Sequence, residues 1–569
     1  MEKEVEMAEK TSGVSSLQKN KYSVFSVFCM IYCTASAGAF GVEEIVSGCG
    51  PGMTICILIG MAVVWAYPVV LGTAELSSIM PGEGGYYYWA KHTLGEFWSY
   101  VMGINGAVSF YVCSSTYVVM SVNYLATIVD MTQLEATVIK VVIILIFTAI
   151  NLKGLKDVSI VSMIFAVCVV VLFILVSVVG FSNWSFSPFE PFMPEGMDIL
   201  TGISMGIGLG IWMYCGFGAI TLMAGEISNP QVISKAMKLA VPASALTYLL
   251  PTAAGLVSVG QWELWSPGEM GGIGFPTVLS LWFGDAGKVI FVVVAMVAAL
   301  SSFNTNMAGG SRSFFVLADD RLFPKKWITN VTRKSGVPYI GVISIAIVTI
   351  LMMQIEFKAL VLIQVIPILV AQVLVSVIII KARRDIPMER RAGCYSVGGG
   401  RVGLFLVTVL PAFVAVLAYY MNGMDYFLYG QIFLLIVGAT YPIVKITLGG
   451  FSESDPELYP QNPRTRMAYG DLYRIAKYMI IMGFVSIVGY FYFGVMEGDW
   501  GPEYYASVYG GGLLGNFGAM RLALLIGGGI CVIISLTLYM AATKKDQKMA
   551  MPTKITVTIG EHADETRAQ

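Results

Sequence analysis

Two stretches of small residues stand inside runs that are otherwise long and apolar. One reads Thr34-Ala35-Ser36-Ala37-Gly38-Ala39-Phe40-Gly41-Val42-Glu43-Glu44. The other reads Gly206-Ile207-Gly208-Leu209-Gly210-Ile211-Trp212-Met213-Tyr214-Cys215-Gly216-Phe217-Gly218. Glycine costs a helix about 1 kcal/mol relative to alanine, so each stretch is a place where a membrane helix can break. A break frees N–H and C=O groups at mid-membrane depth, and these are tolerated only where they line a cavity and meet a polar ligand. The N-terminus of a half-helix favours an anion, and freed carbonyls favour a cation. Such a site suits a zwitterion or an amine. The plain alternative is that the glycines simply let membrane helices pack closely.

Glu43 and Glu44 lie just beyond the first stretch. A carboxylate within a span is rare and is a functional hypothesis by default. It would attract a cationic amine, or take up and release a proton during a cycle. The alternative is that both face an outer vestibule and are hydrated. Other chemistry is excluded by what is missing. The two histidines, His92 beside Lys91 and His562 in the tail, form no cluster, and no HExxH or paired CxxC motif occurs. No metal and no cofactor is therefore expected. The nine cysteines are scattered singly, mostly in apolar runs, as small buried hydrophobes are. No His-based triad can be assembled inside a membrane, so an enzyme is not expected. The net charge of −1 argues against a nucleic-acid partner.

The elements that must position these residues are transmembrane helices. The chain is 56% hydrophobic and only 12% charged, with a mean hydropathy of +0.75, whereas a soluble domain carries about a quarter charged residues. A hydrocarbon core of about 30 Å needs about 20 apolar residues per helix. That ruler gives fourteen spans, at about 22–48, 52–77, 95–128, 136–151, 158–181, 199–225, 236–260, 285–314, 338–354, 357–380, 403–421, 427–447, 475–496 and 519–542. The runs are continuously apolar rather than alternating, which excludes a β-barrel. Lys and Arg concentrate in the connections after spans 2, 4, 6, 8, 10 and 12. The positive-inside rule then puts both termini in the cytoplasm of a multi-pass cell-membrane protein.

The expected organisation follows. Residues 1–21 have no signal-peptide pattern and read as a disordered cytoplasmic arm. Residues 22–448 form the core, with repeats at about 22–181 and 199–381 followed by spans 11 and 12. Residues 449–474 read as a cytoplasmic linker, 475–542 as two extra transmembrane helices, and 543–569 as a disordered tail. If the first ten spans are two halves of five, an odd count inverts the second half, and spans 1 and 6 open each half. Interrupted helices at corresponding positions of inverted repeats are the best sequence pointer to a transporter site.

Four passages resemble the amino acid–polyamine–organocation superfamily of transporters. They are SAGAFGVEE at 36–44, AELSSIMPGEGGYYYWAKHTLGEFWSY at 74–100, IWMYCGFGAITLMAGEISNP at 211–230 and SRSFFVLADDRLFPKKW at 311–327. The resemblance covers about residues 20–450 and implies an all-α polytopic protein with the five-plus-five inverted-repeat (LeuT-like) fold and alternating access. It implies a substrate carboxylate at the backbone of Ser36, Ala37 and Gly38, within the break that runs to Gly41. It also implies a substrate amino group at the carbonyls near Trp212, Met213, Cys215 and Gly216. Trp212 matches an aromatic that stacks on substrate in the arginine–agmatine exchanger branch. Gly106 and Asn306 fall where that branch makes side-chain contacts, but both differ in type. Gly218 replaces an acidic residue there, and the first break reads SAG rather than GSG. The lysine that proton-coupled members carry in span 5 is missing, its counterpart lying near Val169.

The resulting expectation is a secondary transporter of amino acids working by exchange, with Glu43 as an additional site candidate. Glu75, Tyr87 and Glu226 are expected to be structural or gating groups, the two glutamates pairing with loop Lys or Arg. The Tyr86–Trp89 cluster reads as an interfacial aromatic belt, and Ser301 and Ser302 as possible oxygens for sodium. Because FGVEE also resembles the polyamine-uptake branch, polyamine or biogenic-amine transport stays open. So does a nutrient receptor built on a transporter body. The partners implied are a small amino acid or amine and the lipid bilayer; the sequence leaves the oligomeric state open.

Overall fold

The computed structural model describes residues 22–549 apart from 83, 154–157, 228, 230, 266–272, 333–335, 392 and 452–459. It gives the backbone alone at 36–38, 158–163, 223–226, 325–326, 388, 390 and 549. The expected arm 1–21 and most of the tail lie outside the described residues. Every regular element among the described residues is a helix, with two isolated bridges and no strand. Twelve helices among them are long and apolar enough to cross a membrane. The other two expected spans are the helix Glu96–Ala126 and the shorter apolar helix Tyr339–Met352.

In chain order the elements that position the site are α1 (Val24–Ser36), a 3-10 segment Ala37–Gly41, α2 (Val42–Cys49), α3 (Pro51–Met61) and α4 (Tyr67–Ile79). Then come α5 (Tyr86–Thr93), α6 (Glu96–Ala126), α7 (Gln133–Lys153), α8 (Val158–Ser182), α9 (Ile199–Met213) and α10 (Gln231–Val259). They are followed by α11 (Phe275–Asp319), α12 (Lys325–Ile328), α13 (Tyr339–Met352) and α14 (Phe357–Asp385). Helices α1, α8 and α10 pack on one another, and α6 packs along α11 and α14.

Proline shapes several of these helices. Between α3 and α4 the chain passes through a π segment, Ala62–Ala66. Pro68 has no N–H to donate, and its ring would press on the carbonyl four residues back, at Val64; one extra residue in the turn relieves both problems. Pro367 sits inside α14, on the wall of the central cavity. Helix α11 is broken at Gly284, whose φ is +56°, so its membrane part begins where the hydropathy placed span 8.

The later helices are α15 (Gly400–Met421), α16 (Met424–Leu448), α17 (Asp471–Met496), α18 (Gly501–Tyr509), α19 (Phe517–Ala541) and α20 (Lys544–Met549). Helices α17 and α19 pack on each other, and the start of α17 is tied to α16 through a buried polar cluster. Tyr441 donates to Asp471 at 2.5 Å, Arg474 pairs with Asp471 at 2.9 Å, and Lys445 pairs with Glu96 at 2.8 Å, all of them buried. The sequence placed 544–549 in a disordered tail. Instead α20 forms, and its buried Asp546 accepts from the backbone of Gly470 at 3.2 Å.

Candidate substrate site

The two breaks are local and unequal. Helix α1 tightens into a 3-10 segment at Ala37–Gly41 rather than unwinding. Helix α9 runs through Gly206, Gly208 and Gly210 without interruption and breaks only at Tyr214–Gly216. This corrects the expectation that those three glycines weaken the helix. A Cβ would meet Ile57 at 2.3 Å on Gly206, Leu362 at 2.6 Å on Gly208 and Met61 at 3.0 Å on Gly210, so they serve close packing. The break itself needs Gly216, whose φ is +88°, a conformation open to glycine at no steric cost.

Side chains from neighbouring helices take up carbonyls freed at the breaks. The Tyr248 hydroxyl on α10 lies 2.6 Å from Ala35 O and 2.8 Å from Met213 O, so one group ties the two breaks together. Ser302 donates to Cys33 O at 3.3 Å, and Tyr124 lies 2.9 Å from Phe40 O. The Met213 carbonyl, expected to receive a substrate amino group, thus already has a donor. Ser302, weighed as a sodium ligand, has a backbone partner.

Beside the breaks lies a cavity of about 130 Å³. Thr34 and residues Tyr214–Ala219 form one wall. Gly106, Ser109, Phe110, Cys113 and Tyr117 of α6 form another, and Gln364, Pro367, Ile368, Ala371, Gln372 and Val375 of α14 a third. Those α14 residues recur every three or four positions, as one face of a helix must. No Asp, Glu, Lys, Arg or His lines the cavity among the described residues. A smaller pocket of about 30 Å³ shares Thr34, Gly216 and Asn306 with it.

Of the residues singled out from sequence, the fold brings Gly106, Cys215, Gly216 and Asn306 to this cavity. Ser36, Ala37 and Gly38 are described by backbone only, at the junction of α1 and the 3-10 segment. Trp212 is buried at one end: its indole N–H donates to Gln364 at 2.9 Å, and its ring meets Phe357 edge-on at 5.4 Å. Gly41 makes room for it, since a Cβ there would stand 2.8 Å from the Trp212 ring.

Glu43 does not face the cavity. It is fully buried, accepts from Tyr124 and from the Phe275 amide at 2.8 Å, and so caps the start of α11. The hydrated outer-vestibule reading is therefore wrong for Glu43; Glu44 is half-buried. A carboxylate at a helix N-terminus is stabilised by the peptide dipoles there.

At the far end of α4 and α14, Glu75 and Arg383 form a two-pronged pair at 2.7 and 2.6 Å, and Glu75 also accepts from the Val397 amide at 2.8 Å. The Glu226 side chain lies outside the described residues. Tyr87 donates to Asp320 at 2.6 Å, and Lys91 pairs with the same carboxylate at 2.6 Å. The aromatic cluster is not an interfacial belt: Tyr87 is 6% and Trp89 1% exposed. Tyr86 reaches the cavity wall, its hydroxyl 2.0 Å from where a Gly218 Cβ would be. That contact gives a steric reason for the missing acidic side chain at Gly218. Beside the cluster His92 is half-buried, and desolvation followed by the Lys91 charge holds its pKa down at about 4.

Sequence reasoning read Tyr86 only as part of an aromatic belt, and it missed Asn105, Tyr117, Gln364, Gln372 and Tyr248. Each is an uncharged polar residue in an ordinary apolar run, and nothing in one dimension distinguishes a cavity-facing amide from one that packs.

The profile of the amino acid permease family matches residues 22–441. A polyamine transporter of Arabidopsis thaliana is 21% identical over 411 residues, 69% of this chain and 79% of that one. A polyamine transporter of Oryza sativa subsp. japonica is 24% identical over 349 residues, 60% of this chain and 62% of that one. An uncharacterised transporter of Mycobacterium tuberculosis is 24% identical over 293 residues, 50% of this chain and 62% of that one. With its apolar helices and an uncharged cavity beside two helix breaks, the chain belongs to the amino acid permease family, within the amino acid–polyamine–organocation superfamily, and is a multi-pass membrane transporter.

Proposed function

We propose that this transporter carries zwitterionic amino acids with uncharged side chains, exchanging one for another by alternating access between two inverted repeats at about 22–181 and 199–381. The observation that carries this reading is the uncharged lining of the cavity beside the breaks. A polycation taken from water into such a cavity loses several kcal/mol of hydration per charge, with no carboxylate among the described lining residues to replace it. A zwitterion needs only opposed partial charges, which helix ends and freed backbone groups supply. The charged connections set both termini in the cytoplasm. In that orientation the Trp212–Phe357–Gly41 contact closes the outer side, and the Glu75–Arg383 pair stands at the inner end. Residues 449–474 then form a cytoplasmic connection to the two extra helices.

The second reading is polyamine transport. Relatives at 21 to 24% identity are named polyamine transporters, and Glu43 is the second residue of α2, two beyond the first break. Counterflow in proteoliposomes decides between them. Preloaded neutral amino acids are expected to drive uptake of labelled amino acid, and putrescine and spermidine are not. Counterflow driven by polyamines alone would reverse the assignment, and binding without counterflow would indicate a receptor.

A further inference from the structure

Two buried amide side chains on the cavity wall lack partners that such groups carry elsewhere in this protein. Asn105 on α6 is 0% exposed; its Nδ2 donates to Val101 O at 2.7 Å, while its Oδ1 has no partner. Gln372 on α14 is 5% exposed, and its Nε2 donates to nothing. Several other buried amides are satisfied: Asn151 pairs with Asn304 at 2.7 Å, Gln364 accepts from Trp212 at 2.9 Å, and Gln431 bonds both Tyr419 and Ser486, whereas Asn422, also without partners, does not line this cavity. Buried polar atoms are paired as a rule, so an orphan that lines a cavity calls for an occupant with the complementary group.

The two orphans are complementary in kind, one an acceptor and the other a donor, on helices that pack side by side. Gln372 is eight residues beyond Gln364 on the same face of α14. It therefore lies about 12 Å along the helix from the level of Trp212, toward the Arg383 end. No Asp, Glu, Lys, Arg or His shares the cavity among the described residues.

We propose that Asn105 and Gln372 form an inner subsite for a neutral group that both donates and accepts, so that the transporter selects amino acids whose side chain ends in a carboxamide. This rests on the amino acid reading above. Backbone groups at the breaks hold the charged end of the substrate, and the amide pair reads its tip. A pocket built to hydrogen-bond a group rejects the analogue that lacks it far more strongly than an apolar pocket rejects an extra methylene.

The test is competition for counterflow by glutamine, methionine and glutamate, in the full-length protein and in Asn105→Leu and Gln372→Met. Methionine matches glutamine in length without the amide, and glutamate matches its shape with a charge. Expected is a glutamine-over-methionine preference of at least tenfold that collapses toward one in each variant. Melting in detergent, run alongside, identifies a variant that has not folded. The wild-type ratio then still decides. Amino acid counterflow with no amide preference, or a preference unchanged in folded variants, would overturn the subsite alone and mean that water satisfies the two amides. Absence of all amino acid counterflow would instead remove the parent reading and the subsite with it.

Discussion

The hydroxyl of Tyr248 lies 2.8 Å from the carbonyl oxygen of Met213, the last helical residue before the α9 break, and 2.6 Å from that of Ala35 at the α1 break. One proton shared between two freed carbonyls fixes the separation of the breaks. Tyr248→Phe keeps the ring and removes that proton. Unfolding free energy should fall by about 1–3 kcal/mol, the cost of leaving a buried acceptor unmade. Transport should fall with it, because the walls of the cavity then move independently. Detergent melting curves and counterflow rates measure the two effects separately. A variant with wild-type values in both would show that the hydroxyl carries no structural load.

Glu43 caps α11 through the Phe275 amide and accepts from Tyr124. Glu43→Ala should cost about 1–3 kcal/mol, the cost of leaving a buried hydrogen-bonding group unpaired. Tyr124→Phe should cost less, because the amide bond survives. If Glu43 acted on substrate instead, Glu43→Gln would leave the melting temperature alone and abolish uptake of an amine.

A methyl group at Gly218 would stand 2.0 Å from the Tyr86 hydroxyl. Gly218→Ala should therefore displace Tyr86 and lower transport at least tenfold, and adding Tyr86→Phe should recover part of the loss. Recovery in the double variant is the informative result, since additive defects are expected of residues that do not touch.

Breaking the Glu75–Arg383 pair from one side leaves a buried charge without its partner, at a cost of about 3–5 kcal/mol. Glu75→Gln and Arg383→Gln should each destabilise strongly, and the double variant by less than the sum. Denaturation of the three proteins supplies the cycle.

His92 has its pKa depressed from 6.5 to about 4. Between those values the unfolded chain binds a proton that the folded chain refuses. Stability is therefore full above about pH 6.5 and declines as pH falls toward about 4, by on the order of 2 kcal/mol at about pH 5. His92→Gln should flatten that part of the pH profile. Melting temperatures at about pH 5 and about pH 7.5 for both proteins check the sign; a variant losing as much as the wild type would place the acid sensitivity elsewhere.

The number and placement of the spans were legible because a bilayer imposes one length and one polarity on every crossing segment, and both are properties of a linear run. The first helix break was legible from Ser36–Gly41, since backbone weakness is local. The second was only half legible: among the glycines of α9, sequence cannot separate Gly210, which fits against Met61, from Gly216, which takes a positive φ.

What the sequence determined by itself was an apolar, helical, multi-spanning chain with one weak point in its first span and another in its sixth, because composition and period need no partner to be read. Tertiary structure alone decided which polar groups meet. It buried Glu43 under α11, closed Trp212 onto Gln364, and left Asn105 Oδ1 and Gln372 Nε2 without partners on a shared cavity. Hydrogen-bond satisfaction depends on which helices touch and at what rotation. Neither is recorded along a single strand of residues.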